Sequence, residues 1–126
     1  MRPYDSVSFD DTGWNPQGEM DGARVWWNSV GDGIGLYYFA MPPDIKADLG
    51  SINDVRKFYR NSSATRGLGI IEVETPQVDG CLAVRTVFKS PQQPTGMTYI
   101  GSITLPFRDF SYVLKVQCME TGIWRA

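Results

Sequence analysis

Histidine does not occur in this 126-residue chain. Its absence excludes Ser-His-Asp and Cys-His catalysis, His-ligated zinc and the commonest general base near neutral pH. Cysteine occurs only at Cys81 and Cys118, too few for a tetrathiolate site, and no Cys-x-x-Cys spacing exists. No Walker loop or dinucleotide fingerprint is present. Gly31-Asp32-Gly33-Ile34-Gly35 reads as a hairpin turn, not as a phosphate loop between a strand and a helix. Asp10, Asp11, Glu19 and Asp21 lack the alternation and fixed glycine of a calcium loop. Neither a metal nor a cofactor is expected.

Long apolar runs are missing as well. The stretch from Ile34 to Met41 is interrupted by Gly35 and falls far short of the roughly 20 residues a membrane span needs. Arg2 is followed by Pro3, Tyr4, Asp5 and Ser6 with no apolar segment, so no secretory leader is read and a cytoplasmic location is expected. Positive charge is not in excess: 12 Lys and Arg stand against 14 Asp and Glu, for a net −2. A phosphate-tracking surface usually makes a domain basic, so nucleic acid is not an expected partner. The balance is uneven, with seven acidic and two basic residues in 1–44 but seven acidic and ten basic in 45–126. Two solvated surfaces that attract each other within the fold account for this.

What is present supports a core. Apolar residues make up 42% of the chain, within the ordinary globular range, and the length suits one domain over 1–126. Its organising stretch is Leu68 to Cys118, which reads as four strands: Leu68–Thr75, Cys81–Lys89, Met97–Leu105 and Phe110–Cys118. Turn residues separate them, and their period of two predicts an antiparallel meander with one face buried. In Met97–Leu105 the expected apolar face is Met97, Tyr99, Gly101, Ile103 and Leu105, with Thr98, Ser102 and Thr104 opposite. Cys81 opens one strand and Cys118 closes another, about 20–25 Å apart along the strands. A disulfide needs Cα atoms within about 7 Å, so two free thiols are expected.

Residues 1–23 read as an irregular arm with at most a short strand at Ser6–Phe9, and residues 119–126 as a frayed tail. Arg24–Val30 and Ile34–Met41 form a hairpin about Gly31-Asp32-Gly33. Ile34, Leu36, Tyr38 and Ala40 alternate with Gly35, Tyr37, Phe39 and Met41. Both faces are apolar, so the strand is expected to be covered by the helix on one side and by the arm or a partner on the other. Pro42-Pro43 stops it. Ser51 is placed as an N-cap, with Asp54 completing a box-like pairing. The helix runs from about Ile52 to Arg60 on a stripe of Ile52, Val55, Phe58 and Tyr59. Asn61 to Gly67 then reads as a mobile connection. The fold class is α+β: an antiparallel sheet of about six strands with one main helix packed on one face.

A strand ending in Pro42-Pro43, a capped helix, and then Val78-Asp79-Gly80-Cys81-Leu82-Ala83-Val84 opening a meander resembles the PsbP-like fold group. That group includes the photosystem II extrinsic protein and a Ran-binding nuclear transport factor. The resemblance spans about Val25 to Cys118. It implies a central antiparallel sheet flanked by helices, used as a binding or assembly platform and generally without catalysis. One helix is visible here where the group has more, and no functional residue carries over.

Three functional expectations follow. The first is protein binding, by another protein or a second copy, through Trp14, Trp26, Trp27, Tyr37 and Phe39. Adjacent Trp26 and Trp27 point to opposite faces. If the helix covers one face only, the other shows Trp beside Tyr or Phe, as interface anchors often do. Trp14 otherwise plugs the edge of the core. The second expectation is a small-molecule or lipid carrier with a pocket between helix and sheet, lined by Tyr38, Phe58 and Leu114. The third is a carboxylate enzyme using Glu72 and Glu74, which share a strand face about 7 Å apart. A cross-strand charge ladder with Arg85 and Lys89 is the simpler reading of those glutamates. No catalytic residue is assigned.

Overall fold

A computed structural model describes residues 7–20, 22–91 and 96–119. The element order is β1 (Asn15–Met20), β2 (Ala23–Trp27), β3 (Gly33–Phe39), α1 (Ile52–Thr65), β4 (Gly69–Glu74), β5 (Gln77–Val78), β6 (Cys81–Leu82), β7 (Val84–Pro91), β8 (Met97–Pro106) and β9 (Ser111–Met119). Seven strands make one sheet in the order β1-β2-β3-β9-β8-β7-β4, and β5 and β6 form a separate two-stranded hairpin. Every pairing is antiparallel. The fold is thus α+β, with one helix on the sheet among the described residues, and the meander of the second half forms as expected.

The seventh strand is β1. Its residues Asn15–Met20 are all exposed, so no buried alternation marks it in a polar segment expected to be irregular. Val7, Ser8 and Phe9 are not a strand; Ser6 and the tail beyond Met119 lie outside the described residues. Strand β2 ends at Trp27, not Val30. The Asn28 carboxamide oxygen accepts from the amides of Val30 and Asp32 and folds the chain over early. Strand β3 likewise ends at Phe39. Cys81 does not open the long strand. Asp79 and Gly80 both have positive φ, 49° and 78°, the turn that a two-residue hairpin requires, and they close β5 onto β6. Cys81 and Cys118 are both free.

Helix α1 begins as expected, the Ser51 hydroxyl accepting from the Asp54 amide at 3.4 Å. The reciprocal half of the box does not form, because the Ser51 amide donates to the Asp48 carbonyl instead. The helix runs five residues past Arg60. Ser63 and Thr65 donate their hydroxyls to the carbonyls of Arg60 and Asn61, which lets polar residues continue the helix. It stops in a Schellman arrangement, Leu68 amide to Ser63 carbonyl and Gly67 amide to Ala64 carbonyl. Gly67 supplies the left-handed residue at φ 70°.

Two cores lie on opposite faces of the sheet. Val55 (0% exposed), Val73 and Val84 pack with Tyr59, Ile70, Ile45, Ala47 and Leu49 beneath the helix. Trp26, Ile34, Leu36 and Tyr112 form the other, closed by Val7, Phe9 and Trp14 of the arm and by Phe107 and Phe110. Phe9 meets Trp26 edge-on at 4.9 Å. Directly opposed residues share a face, so one row crosses the sheet as Val73, Thr86, Ser102, Lys115, Gly35 and Val25. The helix covers only the Val73 end of that row. It does not reach β3, contrary to expectation, while the arm does cover the other face of that strand. Thr104, expected on a wet face, is buried beside Val84. The Thr86 and Ser102 hydroxyls meet at 2.7 Å, satisfying polar groups on the helix-side face.

Candidate functional site

Where the helix stops short, its own face of the sheet is open over β1, β2, β3 and β9. Side chains alternate along a strand, so Ala23, Val25 and Trp27 of β2 share this face with Gly33, Gly35, Tyr37 and Phe39 of β3 and Lys115 and Gln117 of β9. Glycine at two successive same-face positions removes the side chains from the middle of the sheet. Neighbouring rings lie over the gap. A methyl group added at Gly33 would sit 3.2 Å from the Trp27 ring, and one at Gly35 only 2.9 Å from the Tyr37 ring. Tyr37 in turn stacks on Phe39 at 6.3 Å with the planes 4° apart. The Lys115 ammonium stands 5.5 Å from the Tyr37 ring centroid, a cation–π contact.

The result is a mainly apolar trough of about 340 Å³ bounded by Met20 and Met119. It is open to solvent: Trp27 and Phe39 are each 43% exposed, Met20 49% and Met119 53%. Cys118 lies on the opposite face of β9, where burial first and the Asp32 carboxylate second push its thiol pKa up.

Of the five aromatics singled out in the sequence, three meet here: Trp27, Tyr37 and Phe39. Trp26 is 7% exposed and belongs to the opposite core, and Trp14 packs against that same core. The exposed aromatics therefore share the helix's face; the face away from the helix is the one the arm closes. Met20, Gly33, Gly35, Lys115 and Met119 were not anticipated. The Gly33-x-Gly35 spacing beside alternating Tyr37 and Phe39 is the signal that could have found the two glycines; Met20, Lys115 and Met119 carry none, since they lie on other strands.

The other two expectations meet different geometry. Tyr38 and Leu114 lie in the arm-side core and Phe58 on the helix, so the sheet separates them and they line no common pocket. Glu72 pairs with Arg85 at 2.6 Å, and Glu74 with Arg56 of the helix at 3.0 Å. Lys89 lies across Gly69 instead. Arg56 also donates Nε to the Val73 carbonyl at 3.2 Å. Among the described residues no group of three or more Cys, Asp or Glu side chains is placed to hold a metal, and no helix is long and apolar enough to cross a membrane.

No protein-family model matches the chain, and no curated protein does. Among solved structures, it is similar to the solution structure of cyanobacterial PsbP (CyanoP) from Synechocystis sp. PCC 6803. The TM-score is 0.50 at 17% identity, over 86% of this chain and 71% of that one. The fold is PsbP-like. At that identity the likeness concerns the PsbP-like architecture alone, and the trough is described from this chain's own residues.

Proposed function

We propose that this chain is a non-enzymatic protein-interaction or assembly domain that docks its partner on Trp27, Tyr37 and Phe39. The observation that carries the reading is the unroofed trough beside the helix, where aromatic rings and two methionines remain about half exposed. Aromatic residues and methionine are enriched at protein interfaces, and a PsbP-like fold is compatible with a platform role. The arginine pairing of Glu72 and Glu74 favours a structural role for those glutamates over acid–base chemistry. Two free thiols support a reducing compartment, the cytoplasm.

The test is affinity purification from the source organism with the wild type and with a Trp27→Ser, Phe39→Ser double variant. Light scattering on both purified proteins reports a second copy as the partner. Proteins or self-association seen with the wild type should be lost in the variant, whose circular dichroism spectrum should show it still folded, although loss of the Tyr37–Phe39 stack and of the Trp27 ring lowers its urea midpoint. Unchanged recovery and unchanged mass would refute the assignment of this face.

A further inference from the structure

The trough carries one charged side chain. Its lining is Met20, Ala23, Val25, Trp27, the glycines, Ile34 and Tyr37, with Gln117 and Lys115 as the polar exceptions apart from backbone. Among the described residues the ion pairs join Arg24 to Glu19, Arg56 to Glu74 and Arg85 to Glu72. None of them takes Lys115, whose described contact is the Tyr37 ring. An ammonium group on the wall of an apolar surface is attracted to a carboxylate more strongly than one in open water, because the surroundings screen it less. An occupant that covers Trp27 and Tyr37 also desolvates Lys115, and that costs free energy unless the occupant brings an anion.

Resting on the docking role proposed above, we infer that the partner presents a protein segment in which apolar side chains alternate with acidic ones. An apolar side chain of that segment lies against Trp27 and Tyr37, and a carboxylate pairs with Lys115. Met20 and Met119 at the margins are unbranched and polarizable and adapt to apolar groups of differing shape. The openness of the site favours a protein segment over a carried small molecule, since small-ligand pockets bury most of their ligand, and here Trp27, Met20 and Met119 remain 43–53% exposed.

The experiment uses the full chain, nitrogen-15 labelled, titrated at low salt with three octapeptides: alternating leucine–glutamate, leucine–glutamine and leucine–lysine. Decanoate is the fourth probe. The amide signals of Gly33, Gly35 and Lys115 report occupancy. The leucine–glutamate peptide should shift them and bind about fivefold more tightly than the leucine–glutamine peptide, the factor expected of one partly sheltered ion pair. Lys115→Gln should bring that ratio to about one, and Lys115→Glu should turn the preference toward the leucine–lysine peptide. Lys115 is exposed, so both variants should fold, and their amide spectra report this directly. Charge-blind binding of all three peptides overturns the acidic preference and leaves the docking face standing. No shift with any probe overturns both readings. Decanoate binding more tightly than the leucine–glutamate peptide overturns the inference in favour of a carried amphiphile.

Discussion

Gly35→Ala tests whether the trough is built as described, and its sign depends on one neighbour. Gly35 has a backbone conformation open to alanine, and in a strand interior alanine is favoured over glycine by roughly 0.5–1 kcal/mol. Against that, the new methyl group would meet Tyr37 Cε2 at 2.9 Å and its Cζ and Oη at 3.3 Å. The ring must lift by about 1 Å to regain ordinary contact. Lifting disturbs the stack on Phe39, worth about 0.5–1.5 kcal/mol, and the Lys115 contact, worth about 0.5–1 kcal/mol at an exposed site. The losses exceed the gain, and a net destabilisation of about 1 kcal/mol is expected. With a urea m-value of about 1–1.5 kcal/mol/M, the midpoint falls by about 0.7–1 M. In a Tyr37→Ser background the obstructing ring is gone, and the same substitution should stabilise by about 0.5–1 kcal/mol. Urea unfolding followed by tryptophan fluorescence measures all four proteins of the cycle. Equal destabilisation by Gly35→Ala in both backgrounds would refute the ring-on-glycine floor.

Three further outcomes are expected. Tyr59 is pushed up to about 12 from 10.0, by burial first, with Arg66 opposing. The folded chain thus holds a proton that the unfolded chain releases above pH 10. Stability should be full below pH 10 and fall by about 2 kcal/mol as pH rises through 12, and Tyr59→Phe should remove that drop in alkaline urea titrations. Iodoacetamide at pH 8 should add two adducts by mass and label exposed Cys81 before Cys118, whose thiol is raised by burial and by Asp32; a bridged or equally reactive pair refutes this. Ser51→Ala should cost about 1 kcal/mol in urea unfolding through loss of the bond to the Asp54 amide, and a change of under about 0.3 kcal/mol would deny that cap a role.

The hairpin of β2 and β3, the capped helix and the meander were legible because their signals are local. Gly31-Asp32-Gly33, Ser51 and the alternation of Ile34, Leu36 and Tyr38 do not depend on what packs above them. Strand β1 was hidden because it carries no buried side chain, so periodicity has nothing to report. The end of α1 was hidden because Ser63 and Thr65 read as breakers until their hydroxyls are seen on the preceding turn. Thr104 was expected to be wet because no pattern within one strand says where a distant helix will settle, and it lies buried on the helix side, while Leu105 of the expected apolar face packs against the other core. The trough was half legible for the same reason. Tyr37 and Phe39 were visible on one face with one of the two adjacent tryptophans beside them, but that this is Trp27, that the helix stops beside it, and that the arm covers Trp26 with Trp14, is a tertiary outcome.

The two outer strands of the sheet also differ in how open they are to strand addition. An unpaired strand invites another to extend the ladder. On β4 the Val73 carbonyl is already taken by Arg56, whose guanidinium is anchored again on Glu74. On β1 the register shifts between Pro16 and Gly18, and the proline has no amide to offer. Each margin thus carries one local obstacle to strand addition, the occupied carbonyl of Val73 on β4 and the missing amide of Pro16 on β1.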